Sequence, residues 1–168
     1  MGMPEDNGFE KTAKGTVILN MTDDGLSINV YDALEQYVQY ALPSNLRYCD
    51  EGILETKVIF NAFGSFTEGH RLQLSDGEEG FSVKCYNKSI NYIANTSPPA
   101  AVSGVTLETG VEYTIRIERK SGQNSIYLNG ESVFSNKITS VSYTTMNRIL
   151  FQCGGQYILK SIYFEKIS

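Results

Sequence analysis

The side chains of this sequence that could carry out chemistry are few. Glu51 and Glu55, in the stretch EGILE, share one face of a predicted strand. A carboxylate pair suggests glycoside hydrolysis, in which a retaining enzyme holds its acid and nucleophile about 5–5.5 Å apart. Glu55 also lies two residues from Lys57 on the same face. Opposite charges at this spacing are typical of an ordinary solvated strand face, and we favour this second interpretation.

His70 is the only histidine of the chain. No serine or cysteine nucleophile signature lies near it, so a catalytic triad cannot be argued from the sequence. We expect His70 to lie at a strand end near solvent. The phosphate-cradling pattern G-x-x-x-x-G-K-[ST] is absent as well. We therefore predict that the chain is not an enzyme.

Two acidic turns raise the question of calcium, which takes about six to eight oxygen ligands. The first is TDDG, which contains Asp23 and Asp24, and the second is SDGEEG, which contains Asp76, Glu78 and Glu79. Acidic residues are common in turns for conformational reasons alone. We predict no cofactor and leave calcium open at these turns.

The three cysteines, Cys49, Cys85 and Cys153, are far apart and odd in number. No two are close enough in sequence to suggest a zinc clip. We expect Cys85 and Cys153 to be buried as free thiols in or beside strands. A disulfide that leaves one thiol over remains an alternative.

The elements that must position these side chains are strands, because apolar and polar residues alternate along most of the chain. The clearest stretch is YTIRIERKSGQNSIYLNGESVF, residues 113–134. Ile115 and Ile117 point to one side of its first strand and Arg116 to the other. The Asn-Gly pair at 129–130 suits a type I′ turn, which needs positive φ at both central residues. We predict a three-stranded antiparallel meander here.

The same alternation predicts further strands, at 15–20, 25–31, 52–60, 69–77, 80–86, 89–95, 148–155 and 156–167. The segment 31–42 is ambiguous, because some of its apolar residues have helical spacing while Val38, Tyr40 and Leu42 alternate. We predict a strand there, since tyrosine and valine favour strands.

The length of 168 residues suits one domain with a sizeable core. We place that domain at 15–168 and interpret 1–14 as a polar tail, whose Met1-Gly2 is typical of residues added for expression. The net charge of −5 and the pI of about 4.9 argue against nucleic acid or an anionic membrane as partner, since both need a basic surface. No apolar run is long enough to cross a bilayer.

Two stretches resemble a known family. Residues 113–134 form a strand ending in Arg or Lys, a short polar turn and a strand that closes on Asn-Gly. This pattern is similar to the late hairpin of the concanavalin A-like lectin/glucanase superfamily. The final strand, YILKSIYFEKI, is similar to one that returns to pair near the N-terminus. Laminin G-like and pentraxin-like domains are relatives. The resemblance implies an all-β fold, a two-sheet antiparallel jelly-roll β-sandwich.

Family members that hydrolyse glucans carry the motif E-x-D-x-E, and EGILE has Ile53 where the motif has its middle carboxylate. The resemblance therefore does not extend to the catalytic residues. Relatives that bind sugar use aromatic platforms with polar side chains around them. The chain has no tryptophan but eleven tyrosines.

We predict that ligand is bound by side chains that the alternation turns outward. These are Arg71, Lys84, Tyr86, Arg116, Glu118 and Tyr127. Such residues also occur on any wet sheet face, and the sequence leaves open whether their strands share one sheet.

We thus predict a non-catalytic recognition module that binds carbohydrate, from a secreted, cell-surface or virion protein. Its partner would be a glycan or another protein surface. One alternative is a structural or assembly domain of a phage tail or surface appendage, for which an oligomer is expected. Another is a glycoside hydrolase with an unrecognised carboxylate pair.

Overall fold

A computed structural model describes residues 2–43, 45–46, 51–74, 81–94, 99–139 and 147–167. A short 3-10 helix at Pro4–Asn7 precedes fourteen strands. In chain order, the strands are β1 (Glu10–Lys14), β2 (Val17–Thr22), β3 (Gly25–Val30), β4 (Tyr37–Ala41), β5 (Gly52–Ala62), β6 (Gly69–Leu74), β7 (Phe81–Tyr86), β8 (Ser89–Ala94), β9 (Ala100–Ala101), β10 (Glu112–Lys120), β11 (Gln123–Leu128), β12 (Glu131–Lys137), β13 (Arg148–Gln152) and β14 (Gln156–Lys166).

The strands form two antiparallel sheets of seven strands each. The first sheet has the order β1-β4-β13-β6-β7-β8-β9, and the second has the order β12-β11-β10-β5-β14-β3-β2. Every strand pair is antiparallel. The predicted all-β, two-sheet antiparallel sandwich is therefore confirmed.

Strict alternation builds the core between the sheets. In β3, Leu26 and Ile28 are fully buried, while Ser27 and Asn29, which follow them, are partly exposed. In the same way, β10 alternates between buried and partly exposed side chains along its interior. These two strands thus present one apolar face to the opposite sheet and one polar face outward. This outward set is the one available to a ligand.

The meander predicted for 113–134 is confirmed. β10 pairs with β11, and β11 pairs with β12. Asn129 and Gly130 have φ of 51° and 83°, as a type I′ turn requires. The segment 31–42 is a strand only over its second half, β4, where Val38 and Tyr40 are fully buried as the alternation predicts.

The N-terminal residues differ from the predicted tail. β1 pairs along its whole length with β4, from Glu10 opposite Ala41 to Lys14 opposite Tyr37. All five side chains of β1 are exposed. An edge strand without a buried face has no apolar alternation, so the sequence carried no signal for it. The sheet accordingly begins before residue 15, where we expected the domain to start.

No helix among the described residues is long and apolar enough to span a membrane.

Candidate functional site

The six residues predicted to bind ligand divide between the two sheets. Arg71 lies on β6, and Lys84 and Tyr86 lie on β7, all in the first sheet. The remaining three, Arg116, Glu118 and Tyr127, lie on β10 and β11 in the second sheet. The chain changes sheets between β9 and β10. The six side chains therefore cannot form one patch, because they occupy opposite outer faces of the sandwich.

The outer face of the first sheet is largely covered around its candidates. Gln73, Ser82 and Leu150 lie on neighbouring strands there and are 0%, 1% and 4% exposed. The ammonium group of Lys84 lies 3.0 Å from the Glu68 carboxylate, and Arg71 lies 3.5 Å from the Ser82 hydroxyl. These groups are engaged in local polar contacts, so this face offers less open polar surface than the second sheet.

The second sheet brings together a row of side chains across four strands. In register, Tyr127 on β11 stands opposite Arg116 on β10, Arg116 opposite Glu55 on β5, and Glu55 opposite Tyr163 on β14. Neighbouring strands are about 4.8 Å apart, so the row is roughly 14 Å long. Together with Glu118, two residues along β10 from Arg116, these five residues are called the four-strand patch below.

Ion pairs fix the centre of the four-strand patch. The Arg116 Nε donates to a Glu55 carboxylate oxygen at 2.7 Å, and a terminal nitrogen of Arg116 lies 3.4 Å from Glu118. The guanidinium carbon also lies 5.6 Å from the centre of the Tyr163 ring, within cation–π range. The arrangement holds one cation between two carboxylates and beside an aromatic ring.

The electrostatics of the patch keep Arg116 charged. Partial burial lowers the pKa of Arg116, but the hydrogen bonds and charges of Glu55 and Glu118 outweigh it. The net result is that the pKa of Arg116 is raised above its ordinary value. A groove of about 450 Å³ runs over this region, lined by Thr114, Lys120 and Gly130 in addition to most of the patch.

The patch can offer a ligand complementary polar groups and aromatic surface. The carboxylates accept hydrogen bonds, the remaining N–H groups of Arg116 donate them, and Tyr127 and Tyr163 present ring surface. Tyr163 is 45% exposed. This combination suits a polyhydroxylated molecule, whose hydroxyls both donate and accept and whose carbon faces are apolar.

Sequence reasoning missed Tyr163 because the phase of β14 changes along the strand. Tyr157 and Leu159 are buried, so simple alternation would also bury Tyr163. A register shift between Leu159 and Ser161 inserts one extra residue, Lys160. Such a bulge moves the following side chains to the opposite face. The sequence predicts Glu55 to lie on a solvated strand face, and its place opposite Arg116 follows from the pairing of β5 with β10.

The two carboxylates of EGILE have different hydrogen-bond partners in the structure. Glu55 pairs with Arg116, whereas Glu51 accepts a hydrogen bond from the backbone N–H of Gly122 at 3.1 Å. Ile53, between them, is 5% exposed. Both carboxylates thus make structural contacts across the sheet.

His70 is a core residue, and the expectation that it lies near solvent is wrong. It is 0% exposed and its ring stacks on Phe151, with 4.3 Å between ring centres. Nδ1 lies 3.0 Å from the Leu150 carbonyl oxygen, which can only accept. Nε2 must then accept from the Thr56 hydroxyl, 2.8 Å away. Burial is the main cause that lowers the pKa of His70, to about 4.

The alternation of β6 explains this error. His70 is in phase with Leu72 and Leu74, which are buried, so the same pattern that identified the strand places His70 inside. Its polarity led us to expect solvent, but Thr56 and the Leu150 carbonyl satisfy both ring nitrogens within the core.

Of the cysteines, Cys85 and Cys153 are buried free thiols, as predicted. Cys49 lies outside the described residues. Burial raises the pKa of the Cys85 thiol. These two thiols are part of the packing.

Of the two acidic turns, the one with Asp23 and Asp24 lies within the described residues. Asp23 and Asp24 lie in the β2–β3 turn, where the Thr22 hydroxyl donates to the Gly25 carbonyl at 2.8 Å. The candidates Asp76, Glu78 and Glu79 lie outside the described residues. Within the described parts of the chain, no group of three or more His, Cys, Asp or Glu side chains is arranged to hold a metal ion. We derive no role for calcium.

Comparisons with known proteins find similar folds among solved structures. No family model matches the sequence, and no curated protein matches it significantly. The carbohydrate-binding module CBM66 from Bacillus subtilis is similar with a TM-score of 0.61 at 11% identity, over 95% of this chain and 96% of that chain. A sialidase is similar with a TM-score of 0.69 at 10% identity, over 98% of this chain.

The binding domain of botulinum neurotoxin serotype G is similar with a TM-score of 0.61 at 12% identity, over 95% of this chain. The chain spans 17% of the sialidase and 44% of the toxin domain, so it corresponds to one part of each. At these identities the likeness shows the fold alone. The fold is a β-sandwich of the kind found in carbohydrate-binding modules and toxin binding domains.

Proposed function

We propose that this chain is a non-catalytic carbohydrate-binding module whose ligand lies on the four-strand patch. The observation that carries the proposal is the row Tyr127–Arg116–Glu55–Tyr163, which combines two tyrosine rings with a fixed ion pair on an open sheet face. The similarity to CBM66 over nearly the full length of both chains supports it. We also propose that the chain belongs to a secreted, cell-surface or virion protein and that it is related to the concanavalin A-like superfamily.

The test is a glycan array followed by affinity measurements on variants. Arg116→Ala and Tyr127→Ala should each weaken binding of an array ligand by about 1–3 kcal/mol, because each removes a direct contact from a small interface. Melting temperatures should change little, since exposed ion pairs contribute only about 0–1 kcal/mol. Tyr86→Ala is the matched control, because Tyr86 is a partly exposed tyrosine on the other sheet.

Two outcomes would overturn the proposal that the four-strand patch binds the ligand. One is a ligand whose affinity falls with Tyr86→Ala but not with Arg116→Ala or Tyr127→Ala, which would move the site to the first sheet. The other is the absence of any ligand on a broad array, which would remove the carbohydrate-binding function itself.

Hydrolysis is tested separately on the same ligands. The proposal expects no release of reducing sugar above the level of the heat-inactivated protein. Release that is abolished by Glu51→Gln combined with Glu55→Gln would instead identify a glycoside hydrolase.

A protein partner is the second candidate, and the edge of the second sheet favours it. β2, VILNMT, is an edge strand without a charged residue, and its Ile18 and Met21 are 60% and 38% exposed. Uncharged edge strands can pair with another chain. Sedimentation analysis tests this candidate: self-association that Ile18→Lys removes would support an assembly role, and a monomer at all concentrations would exclude self-pairing.

A further inference from the structure

A second concave site lies at the rim of the second sheet, away from the four-strand patch. Ile18, Asn29 and Gln156 are neighbours in register across β2, β3 and β14. They line a cavity of about 400 Å³ together with Tyr31, Asp32 and Phe63, which follow β3 and β5. These six residues define the rim pocket. Gln156 is seven residues from Tyr163 along β14, which is roughly 20 Å at the rise of a strand.

Two aromatic side chains, Tyr31 and Phe63, line the rim pocket. Phe63 stacks on Phe60, with 5.1 Å between ring centres and 11° between ring planes, and Phe60 is fully buried. Tyr31 is 64% exposed, while its backbone N–H donates to the Thr16 carbonyl at 3.0 Å. One ring is therefore fixed against the core, and the other stands in solvent on an anchored backbone. The exposed ring can stack on a ligand, and because its backbone is already fixed, binding has to order only its side chain.

The carboxylate of Asp32 is oriented before any ligand arrives. The backbone N–H of Ser65 donates to one carboxylate oxygen at 2.9 Å, and the Ser65 hydroxyl donates to the other. The hydroxyl bond is the larger cause that lowers the pKa of Asp32. Each oxygen has a further lone pair for a ligand hydroxyl.

Gly154 makes room for this carboxylate. Gly154 has φ of 87°, and a Cβ there would lie 2.3 Å from the Asp32 Oδ1. The Gly-Gly turn at 154–155 between β13 and β14 thus permits the close approach of Asp32 to the rim.

The charge of the rim pocket selects against anions. Asp32 is the one charged residue among the described residues that line it. Asn29 and Gln156 add amide groups that both donate and accept, and Tyr31 adds ring surface. The four-strand patch differs, since it has a guanidinium at its centre.

We propose that the rim pocket is a second binding site that takes a neutral sugar unit. The apolar face of the sugar lies against Tyr31, two of its hydroxyls donate to Asp32, and Asn29 and Gln156 bond the remaining hydroxyls. This site has its own lining and does not depend on ligand binding at the four-strand patch.

The experiment is an NMR titration of the ¹⁵N-labelled protein. The probes are the methyl glycosides of glucose, galactose and mannose, with N-acetylneuraminic acid as the anionic comparator. At least one neutral glycoside should shift the amide signals of Asn29, Tyr31, Asp32 and Phe63 in a saturable manner, and N-acetylneuraminic acid should not. Failure of all three neutral glycosides to shift these signals would overturn the proposal, as would preferential binding of N-acetylneuraminic acid there.

Variants separate the rim pocket from the four-strand patch. Tyr31→Ala should weaken the neutral glycoside by about tenfold or more, which is the effect expected for loss of a stacked ring. Tyr86→Ala, at a partly exposed tyrosine of the first sheet that lies in neither site, is the matched control and should leave this affinity unchanged. Asn29→Ala is a second variant that keeps the Asp32–Ser65 bonds and should also weaken binding. If Tyr31→Ala and Asn29→Ala both bind the neutral glycoside as tightly as the unchanged protein does, the proposal is overturned, whatever the patch variants show.

Discussion

His70 is a polar residue that serves the core, and its protonation links stability to pH. Its two ring nitrogens are satisfied by Thr56 and the Leu150 carbonyl only when the ring is neutral. Its pKa falls from an ordinary 6.5 to about 4 on folding. The unfolded chain therefore binds the proton more tightly than the folded one, and stability is fully present above pH 6.5 and declines as pH falls towards 4.

This linkage predicts a measurable difference between the protein and a His70→Gln variant. The contribution of His70 to the decline in unfolding free energy between pH 7 and 4 should be about 3 kcal/mol, from the size of the pKa difference. Glutamine has a donor and an acceptor but does not titrate. The unfolding free energy of the variant should therefore decline less than that of the unchanged protein, by that amount. Urea unfolding at several pH values measures both. Parallel pH curves for the two proteins would show that His70 does not titrate as described.

The buried thiols give a second prediction at this scale. Cys85 is fully buried with a raised pKa, and Cys153 is 6% exposed. Because thiolates are the reactive form, both should resist a thiol reagent in the native state. A Cys49→Ser variant isolates their behaviour: it should label slowly when folded and at two sites when denatured. Labelling of both thiols within the mixing time of the native protein would contradict the burial.

Among the elements, the hairpins could be derived from the sequence almost completely. Alternation and an Asn-Gly pair were sufficient to define β10, β11 and β12, because each strand buries one face and the turn needs positive φ. Two kinds of feature were not accessible. β1 buries no side chain and so leaves no periodic signal, and the bulge at Lys160 changes which residues of β14 face outward.

The turn between β11 and β12 supports a prediction about Gly130. Gly130→Val should reduce the unfolding free energy by about 1–3 kcal/mol, because a β-branched residue is strained at positive φ. A Cβ at this position would meet no atom within 4 Å, so the effect comes from the backbone alone. Gly130→Asn is the control and should lose much less, since asparagine tolerates this region. Equal thermal stability of the Val variant and the unchanged protein would contradict the turn.

At the scale of the whole molecule, strand order decides which side chains can act together. The alternation correctly predicted that Arg71, Tyr86, Arg116 and Tyr127 point outward. Alternation indicates only the face of a strand, however, and not the sheet to which the strand belongs. The crossover between β9 and β10 places the first two on the sheet opposite the others. Three of the five residues of the four-strand patch were therefore recoverable from the sequence, and the other two, Glu55 and Tyr163, required the pairing of β5 with β10 and β14.

The most direct measurement is the ¹⁵N–¹H spectrum of the labelled protein titrated with a glycan found on the array. We predict that saturable shifts centre on Glu55, Arg116, Tyr127 and Tyr163, in four adjacent strands of the second sheet. Shifts at the rim pocket with other sugars are compatible with this result. Shifts from the array ligand that are confined to β6 and β7 of the first sheet, with the four-strand patch unmoved, would contradict the proposed ligand face.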